Sequence, residues 1–400
     1  MAHEQRLKNS LDMLYLAACA LHDAVPDARR MADMDLTGVM TEAARQSMNG
    51  IAYLGIQKYV DATPNAGDVT DADRLAQWKQ SYAQIIRKAV LFDMERERIL
   101  SFLDQNGIWY LPLKGIILQN MYPRIGMRQM ADNDILFDAN YRAELKSFML
   151  ENGYKGGEKV GRTDAACHDT YLKAPFYNFE MHYSLHPASE KEIELRHYYA
   201  DIKERLIKDN GNSCGYHMSD EDFYIYVTTH AYKHYSRAGT GVRLLMDTYV
   251  YLSQKKDQMD LAYVEKELAA LGLADFEKTA RTAAFKVFSE PNHKGLTKFT
   301  ETETELLTRC IHAGVYGTSG IAMKTKLSEL SEDGRITPRI KLKYFMGRLI
   351  PGDDCYMFRY PLAYRHRILI PFVVVARIFE AVFTKPGALV KEIKALSREK

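Results

Sequence analysis

Apolar residues recur at three- and four-residue spacing through the first hundred positions. The spacing predicts helices over LDMLYLAACALHDAV, GVMTEAARQSMNGIAYLGIQKYV and ADRLAQWKQSYAQIIRKAVLFDMERERILSFLDQ, separated by Pro and Gly clusters. The pattern changes after Asn106-Gly107. IWYLPL is short, aromatic and aliphatic, as a buried strand requires, and Lys114-Gly115 ends it. IILQNMY then reads as a short helix closed by Pro123, DNDILF as a second strand, and NYRAELKSFMLENGY as a helix with a Gly stop. TYLKAP and YNFEMHYSL read as two further strands. From Ser219 the helical period returns through DEDFYIYVTTHAYKHYSR, VRLLMDTYVYLSQ and LAYVEKELAAL. The expected fold class is therefore α+β and predominantly helical. A small mixed sheet near 108–185 is flanked by helical regions on both sides. The corresponding division is an N-terminal helical region over 1–100, a core over 101–200, a helical domain over 201–335 and a basic segment over 336–400.

Composition narrows the class. The chain has 400 residues, 46% hydrophobic and 26% charged, which is the make-up of an ordinary globular protein with more than one packed unit. The net charge is +2, too near neutral for a dedicated nucleic-acid binder. From Arg335 onward, however, fourteen basic residues face five acidic ones. Five scattered cysteines, none in a CxxC pair, argue against a disulfide framework or a zinc site and lead us to expect a reducing, cytoplasmic setting. The N-terminus reads as an amphipathic helix, not a secretory signal. The most apolar run, Ile368 to Phe383, is broken by Pro371, Arg377 and Glu380 and falls short of a membrane span. No repeat period is visible.

The chemistry concentrates in the sheet segment. Asp132 and Asp134 stand at i and i+2 at a strand start, so alternation turns both carboxylates to one face. Two such groups repel unless a cation sits between them, and Mg²⁺ (or Mn²⁺) takes oxygen ligands of this kind. Glu180 offers a third carboxylate from a neighbouring strand. A trio like this can hold two ions about 3.5–4 Å apart for phosphoryl displacement.

The stretch LPLKGIILQNMYPRIGMRQMADNDILF resembles the uncharacterised nucleotidyltransferase family of the DNA polymerase beta superfamily. The resemblance rests on Lys114-Gly115, Tyr122-Pro123, Gly126, Arg128, Asp132 and Asp134, taken in order. It continues at Glu180 and His182, then at His230, Lys233-His234, Arg243 and Asp247. It implies a polymerase beta-like core that transfers NMP from an NTP to a hydroxyl or phosphate acceptor and releases pyrophosphate. The acceptor would be a small molecule, sugar, peptide or protein. Two positions depart from the superfamily pattern. Lys114-Gly115-Ile116 stands where a Gly-Ser or Gly-Gly turn is usual, and Glu180 stands where Asp is commoner.

Asp132, Asp134 and Glu180 are the expected catalytic and metal-holding residues. Lys114, Gly115, Arg128, His182, Lys233 and His234 are the expected nucleotide contacts. Each has a plainer reading. Gly115 either lets phosphate approach a helix N-terminus or serves a strand-to-helix turn. Lys114 either meets phosphate or is a solvated strand-end lysine. Arg128 is expected to grip the triphosphate, the alternative being that it neutralises Asp132 or Asp134. His182 shares the face of Glu180, as a ligand, a relay or a structural histidine. His230, Lys233 and His234 share one helical face, read as a basic cleft wall; with no HExxH glutamate, zinc is not expected there. Arg243 and Asp247, at i and i+4, are expected to pair with each other. No GxSxG elbow or cysteine nucleophile motif supports a hydrolase.

The basic, aromatic C-terminal segment is compatible with peripheral contact to an anionic membrane, or with packing on the body. The rival to an enzyme is a non-catalytic nucleotide-binding or assembly protein that keeps the fold. A nucleic-acid enzyme is disfavoured by the near-neutral charge and the absence of an evident basic, aromatic strand face.

Overall fold

A computed structural model describes residues 2–63, 72–157, 166–211, 214–291, 298–331, 335–350, 352–380, 383 and 386–398. The chain opens with helices α1 (Ala2–Leu21), α2 (Ala28–Ala32), α3 (Leu36–Arg45), α4 (Asn49–Ala62) and the long α5 (Ala72–Gln105). Where the periodicity predicted one helix across 38–60, there are two. Ser47 takes a left-handed φ of 52°, which breaks the hydrogen-bond ladder between α3 and α4. Helix α4 then packs so closely on α1 that a Cβ at Gly55 would lie 2.4 Å from the Leu16 carbonyl oxygen.

The sheet segment runs β1 (Tyr110–Pro112), α6 (Lys114–Gln119), β2 (Asn133–Phe137), α7 (Arg142–Glu151), β3 (Lys155–Gly156), β4 (His168–Lys173) and β5 (Tyr177–His182). Its strand order is β1-β2-β5-β4-β3. The central β2 and β5 run parallel and every other pairing is antiparallel, so the expected small mixed sheet is present. Every residue of β2 is buried, which suits the central position of an apolar strand. Short helices α8 (Ile193–Tyr198) and α9 (Ile202–Arg205) follow. The two-residue strands β6 (Ile207–Lys208) and β7 (Tyr216–His217), which the pattern missed, form a second small sheet.

The chain then returns to helix through α10 (Asp220–Arg237), α11 (Arg243–Lys255), α12 (Leu261–Ala270), α13 (Ala274–Phe288), α14 (Glu301–Ala313) and α15 (Ser319–Leu330). The basic segment forms α16 (Pro338–Leu349), α17 (Asp353–Arg359), α18 (Pro361–Arg365), α19 (Ile370–Phe379) and α20 (Pro386–Arg398). Among the described residues no helix is long and apolar enough to cross a membrane.

Two cores position the site. One joins Met13, Leu16, Ile51 and Ile56 of the N-terminal helices to Leu245, Ala283 and Leu307, so the N-terminal and later helical regions share one interior. The other lies on one face of the sheet, where Phe92, Ile99 and Leu103 of α5 and Leu145 and Met149 of α7 cover Ile135, Phe137, Phe179 and Met181. Trp78 of α5 belongs to the first core, so this helix, about 50 Å long at 1.5 Å per residue, ties the two together. On the opposite sheet face Leu111 and Leu136 pack with Phe223 and Tyr226 of α10. Alternation places Asp134 with Leu136, and Glu180 and His182 with each other. The polar side chains therefore face α10, not α5.

Candidate active site

A cleft of about 520 Å³ opens between the carboxylate edge of the sheet, α5, α10 and the start of α11. Asp132, Asp134 and Glu180 all line it. The parallel pairing of β2 with β5 sets Asp134 directly beside Glu180, which brings a carboxylate from nearly fifty residues away into the same cluster. His182 comes from the same strand face. Its Nε2 lies 3.4 Å from Asp134 Oδ1 and 3.9 Å from Glu180 Oε2, while Nδ1 lies 3.3 Å from the Ser184 carbonyl oxygen. Lys114, at the first turn of α6, donates to Asp134 Oδ2 at 3.1 Å.

The charges in this cluster are unevenly compensated. Burial alone would raise the Asp134 carboxyl, but Lys114 and then His182 outweigh it and hold it well below the usual carboxylate range. Burial and the nearby Asp134 charge raise the Asp132 carboxyl. The same two causes push Glu180 up to about 7. Burial disfavours the His182 imidazolium, yet its bond to Asp134 raises it to about 9. Lys114 and His182 bond Asp134, and Glu180 meets His182 at 3.9 Å and His168 at 3.5 Å. Such a set of hard oxygen donors beside an imidazole fits a divalent cation. Asp134, Glu180 and His182 present ligand atoms within 4.8 Å of one another.

The cationic residues divide into two groups. Arg128 lines the cleft, but its guanidinium makes a bidentate pair with Asp247 at 2.7 and 2.9 Å and donates to the Gly115 carbonyl at 3.3 Å. Tyr122 donates to the same Asp247 at 2.7 Å. Asp247 is therefore the partner of Arg128, neither strand aspartate is, and the i, i+4 pairing expected between Arg243 and Asp247 is replaced by this longer-range one. Arg243 instead donates to the Gln129 carbonyl at 2.8 Å, and burial and the adjacent Arg128 charge lower its guanidinium. It lines the cleft with its positive charge shared among fewer acceptors. Lys88 of α5 also faces the cleft, and burial lowers its ammonium against the pull of Asp132.

Gly115 and His182 are buried behind the cleft lining. A Cβ on Gly115 would meet the end of the Met130 side chain, Cε at 2.8 Å, which would have to shift to admit it. His230 and His234 both line the cleft, their Nε2 atoms 2.9 Å apart. Burial, and next the Lys114 charge, push His230 well below the usual histidine range and His234 down to about 4, so this pair is neutral and not a basic wall. Lys233 turns away from them to Glu192 at 3.1 Å, on the side of α10 where Arg237 and His186 also reach that carboxylate.

Several residues in or beside the cleft escape a linear reading. His168 comes within 3.5 Å of Glu180 only because β4 pairs with β5 in a register that sets it opposite His182. Lys88 sits within an ordinary amphipathic helix, and Ser47, Thr240, Val315 and Tyr316 come from three separate turns. Ser47 carried one local signal, a helical run of atypical length that could be split.

The family model described as uncharacterised nucleotidyltransferase matches residues 32–289, well over half the chain, and the chain belongs to that family. The match includes Asp132, Asp134 and Glu180 and ends before Val315 and Tyr316. No curated protein and no solved structure matches the chain.

Proposed function

We propose that this cleft is a metal-dependent nucleotidyl-transfer site of the polymerase beta type. The observation that carries the reading is the meeting of Asp132, Asp134 and Glu180 on one wall of a cleft large enough for a nucleotide, Asp134 buried and the other two partly exposed. The three carboxylates would hold Mg²⁺ or Mn²⁺. When bound, such an ion supplies charge neutralisation at the triphosphate and lowers the pKa of an acceptor hydroxyl. Lys114, Arg243 and Lys88 face the same space and would bind the phosphate oxygens. The neutral His230–His234 pair offers hydrogen bonds without adding charge. An acceptor oxygen attacks the α-phosphorus, the bond from that phosphorus to the bridging oxygen of the β-phosphate breaks, and pyrophosphate leaves. Arg128 acts through position: locked on Asp247, it braces Gly115 and the start of α6 beneath Lys114. The acceptor class that fits best is a small molecule, sugar, peptide or protein.

Calorimetry of NTP binding with Mn²⁺ or Mg²⁺, comparing wild type with the double variant Asp132→Asn, Asp134→Asn, tests the reading. Metal-dependent binding is expected in wild type, weakened by a hundredfold or more in the variant. A folded wild-type protein that binds no NTP in the presence of either metal would sink the enzyme reading and favour a scaffold with a nucleotidyltransferase fold.

A further inference from the structure

Part of the cleft wall is built from three turns, contributing Ser47, Thr240, Gly241, Val315 and Tyr316. Gln46, fully buried, ties them together. Its Oε1 accepts from the Val242 N–H at 3.0 Å, and its Nε2 donates to the carbonyls of Cys310 and Ile311 at 3.2 and 3.1 Å. The 314–317 turn is clamped at both ends. The Val315 N–H donates to the Arg45 carbonyl at 3.1 Å and the Thr318 N–H to the Ala238 carbonyl at 2.9 Å. Gly314 and Gly317 both take left-handed φ angles, 65° and 68°, and a Cβ at Gly317 would lie 2.5 Å from the Ala238 oxygen. These glycines let the turn press against its two neighbouring elements.

What this fixed turn carries is a ring in solvent. Tyr316 is 81% exposed although it lines the cleft, the most exposed large hydrophobic among the described residues. An aromatic side chain on a mobile loop tip would need no explanation. Here the backbone beneath the ring is anchored on both sides, so little ordering remains to be done when a flat partner arrives. Ser47 on the same wall holds a left-handed φ of 52°, a conformation non-glycine residues seldom adopt and one that concentrates at binding sites.

We propose that Tyr316 is the stacking platform for the nucleobase of the bound nucleotide. The triphosphate would lie toward Lys114 and Arg243 and the base toward the turn-built wall. This inference rests on the nucleotidyl-transfer reading and adds a base-recognition residue that lies beyond the segment matched by the family model. The preferred ligand class is then a nucleoside triphosphate over the same phosphate chain without a base.

The test is calorimetry on the full chain with Mn²⁺, using NTPs and inorganic tripolyphosphate, for wild type, Tyr316→Ala and Tyr316→Phe. Stacking of one base on an aromatic ring predicts that Tyr316→Ala weakens NTP binding by about tenfold or more, while tripolyphosphate binds as in wild type. Tyr316→Phe keeps the π-face and should bind NTP to within about threefold of wild type. If Tyr316→Ala binds NTP as tightly as wild type, or loses NTP and tripolyphosphate equally, the stacking assignment is overturned. Wild type that binds tripolyphosphate as tightly as any NTP overturns it too, while leaving the phosphate site intact. Wild type that binds neither ligand removes the nucleotidyl-transfer reading, and the platform with it.

Discussion

At the sheet end of the cleft, side chains are set by charge: Lys114 and His182 converge on Asp134, and Arg128 locks Asp247. At the turn end no ion pair organises the lining residues Ser47, Gly241, Val315 and Tyr316 among the described residues. Backbone hydrogen bonds, glycine conformations and the neutral amide of Gln46 do so instead. The contrast follows what each end has to meet. A polyphosphate and its counter-ion demand fixed charges that are dearly desolvated in advance, whereas a base needs a flat surface in a fixed place. One end should therefore respond to charge-removing substitutions and to pH, the other to the loss of neutral hydrogen bonds.

The largest effect on stability is expected from Asp247→Ala. It leaves Arg128 buried without its bidentate partner and Tyr122 without its acceptor, and a broken buried pair costs roughly 3–5 kcal/mol. Urea denaturation of the variant gives the value, and a loss below about 1 kcal/mol would show that the sheet end does not depend on this pair.

Next comes Glu192, which anchors α10 behind the neutral histidines. Burial would raise this carboxyl, but the His186 hydrogen bond and then the Lys233 and Arg237 charges hold it at about 2 against an ordinary 4.5. Burial lowers the His186 imidazole, whose Nδ1 lies 3.0 Å from the Glu192 carboxylate beside the two cations. A depressed folded-state value means the contribution is complete above pH 4.5 and is lost as pH falls from there through about 2. It amounts to about 3 kcal/mol. The stability gap between wild type and Glu192→Gln should shrink across this range; a gap that stays constant would remove charge as its source.

The smallest of the three is Gln46→Ala at the turn end. It strands the buried Val242 N–H, while the Cys310 carbonyl keeps the Gly314 N–H and the Ile311 carbonyl keeps Arg6, for about 1–2 kcal/mol. Because the Gln46 amide itself is neutral, the loss should be the same at pH 5 and pH 8 and insensitive to salt. A strong dependence on either would erase the distinction between the two ends.

How far this site was legible along the chain follows from how local each signal is. Asp132 and Asp134 are two residues apart and strand alternation alone turns them to one face, so their pairing could be read directly. Glu180 was marked by the order of landmarks in a resembling family, and the parallel β2–β5 register then set it beside Asp134. Arg128 was legible as a site arginine, but its partner was not: Asp247 lies on α11, and a linear reading could offer it only the nearest aspartates. Lys233 and His234 share a helical face by spacing, yet Glu192 draws Lys233 one way while burial leaves His234 neutral in the cleft. Tyr316 gave no signal, since an aromatic residue between glycines looks like any surface turn.

The sequence by itself determined the broad succession of helical and sheet regions, the position of the small mixed sheet and the two aspartates at the start of its β2 strand, because periodicity and alternation act over a few residues. Tertiary structure alone decided which cations are free for a ligand, which histidines carry charge and which turns meet to form part of the cleft wall. Those outcomes depend on burial and on partners up to about 270 residues apart, such as the Gln46 amide and the Ile311 carbonyl, and pairings at that distance leave no periodic trace along the chain.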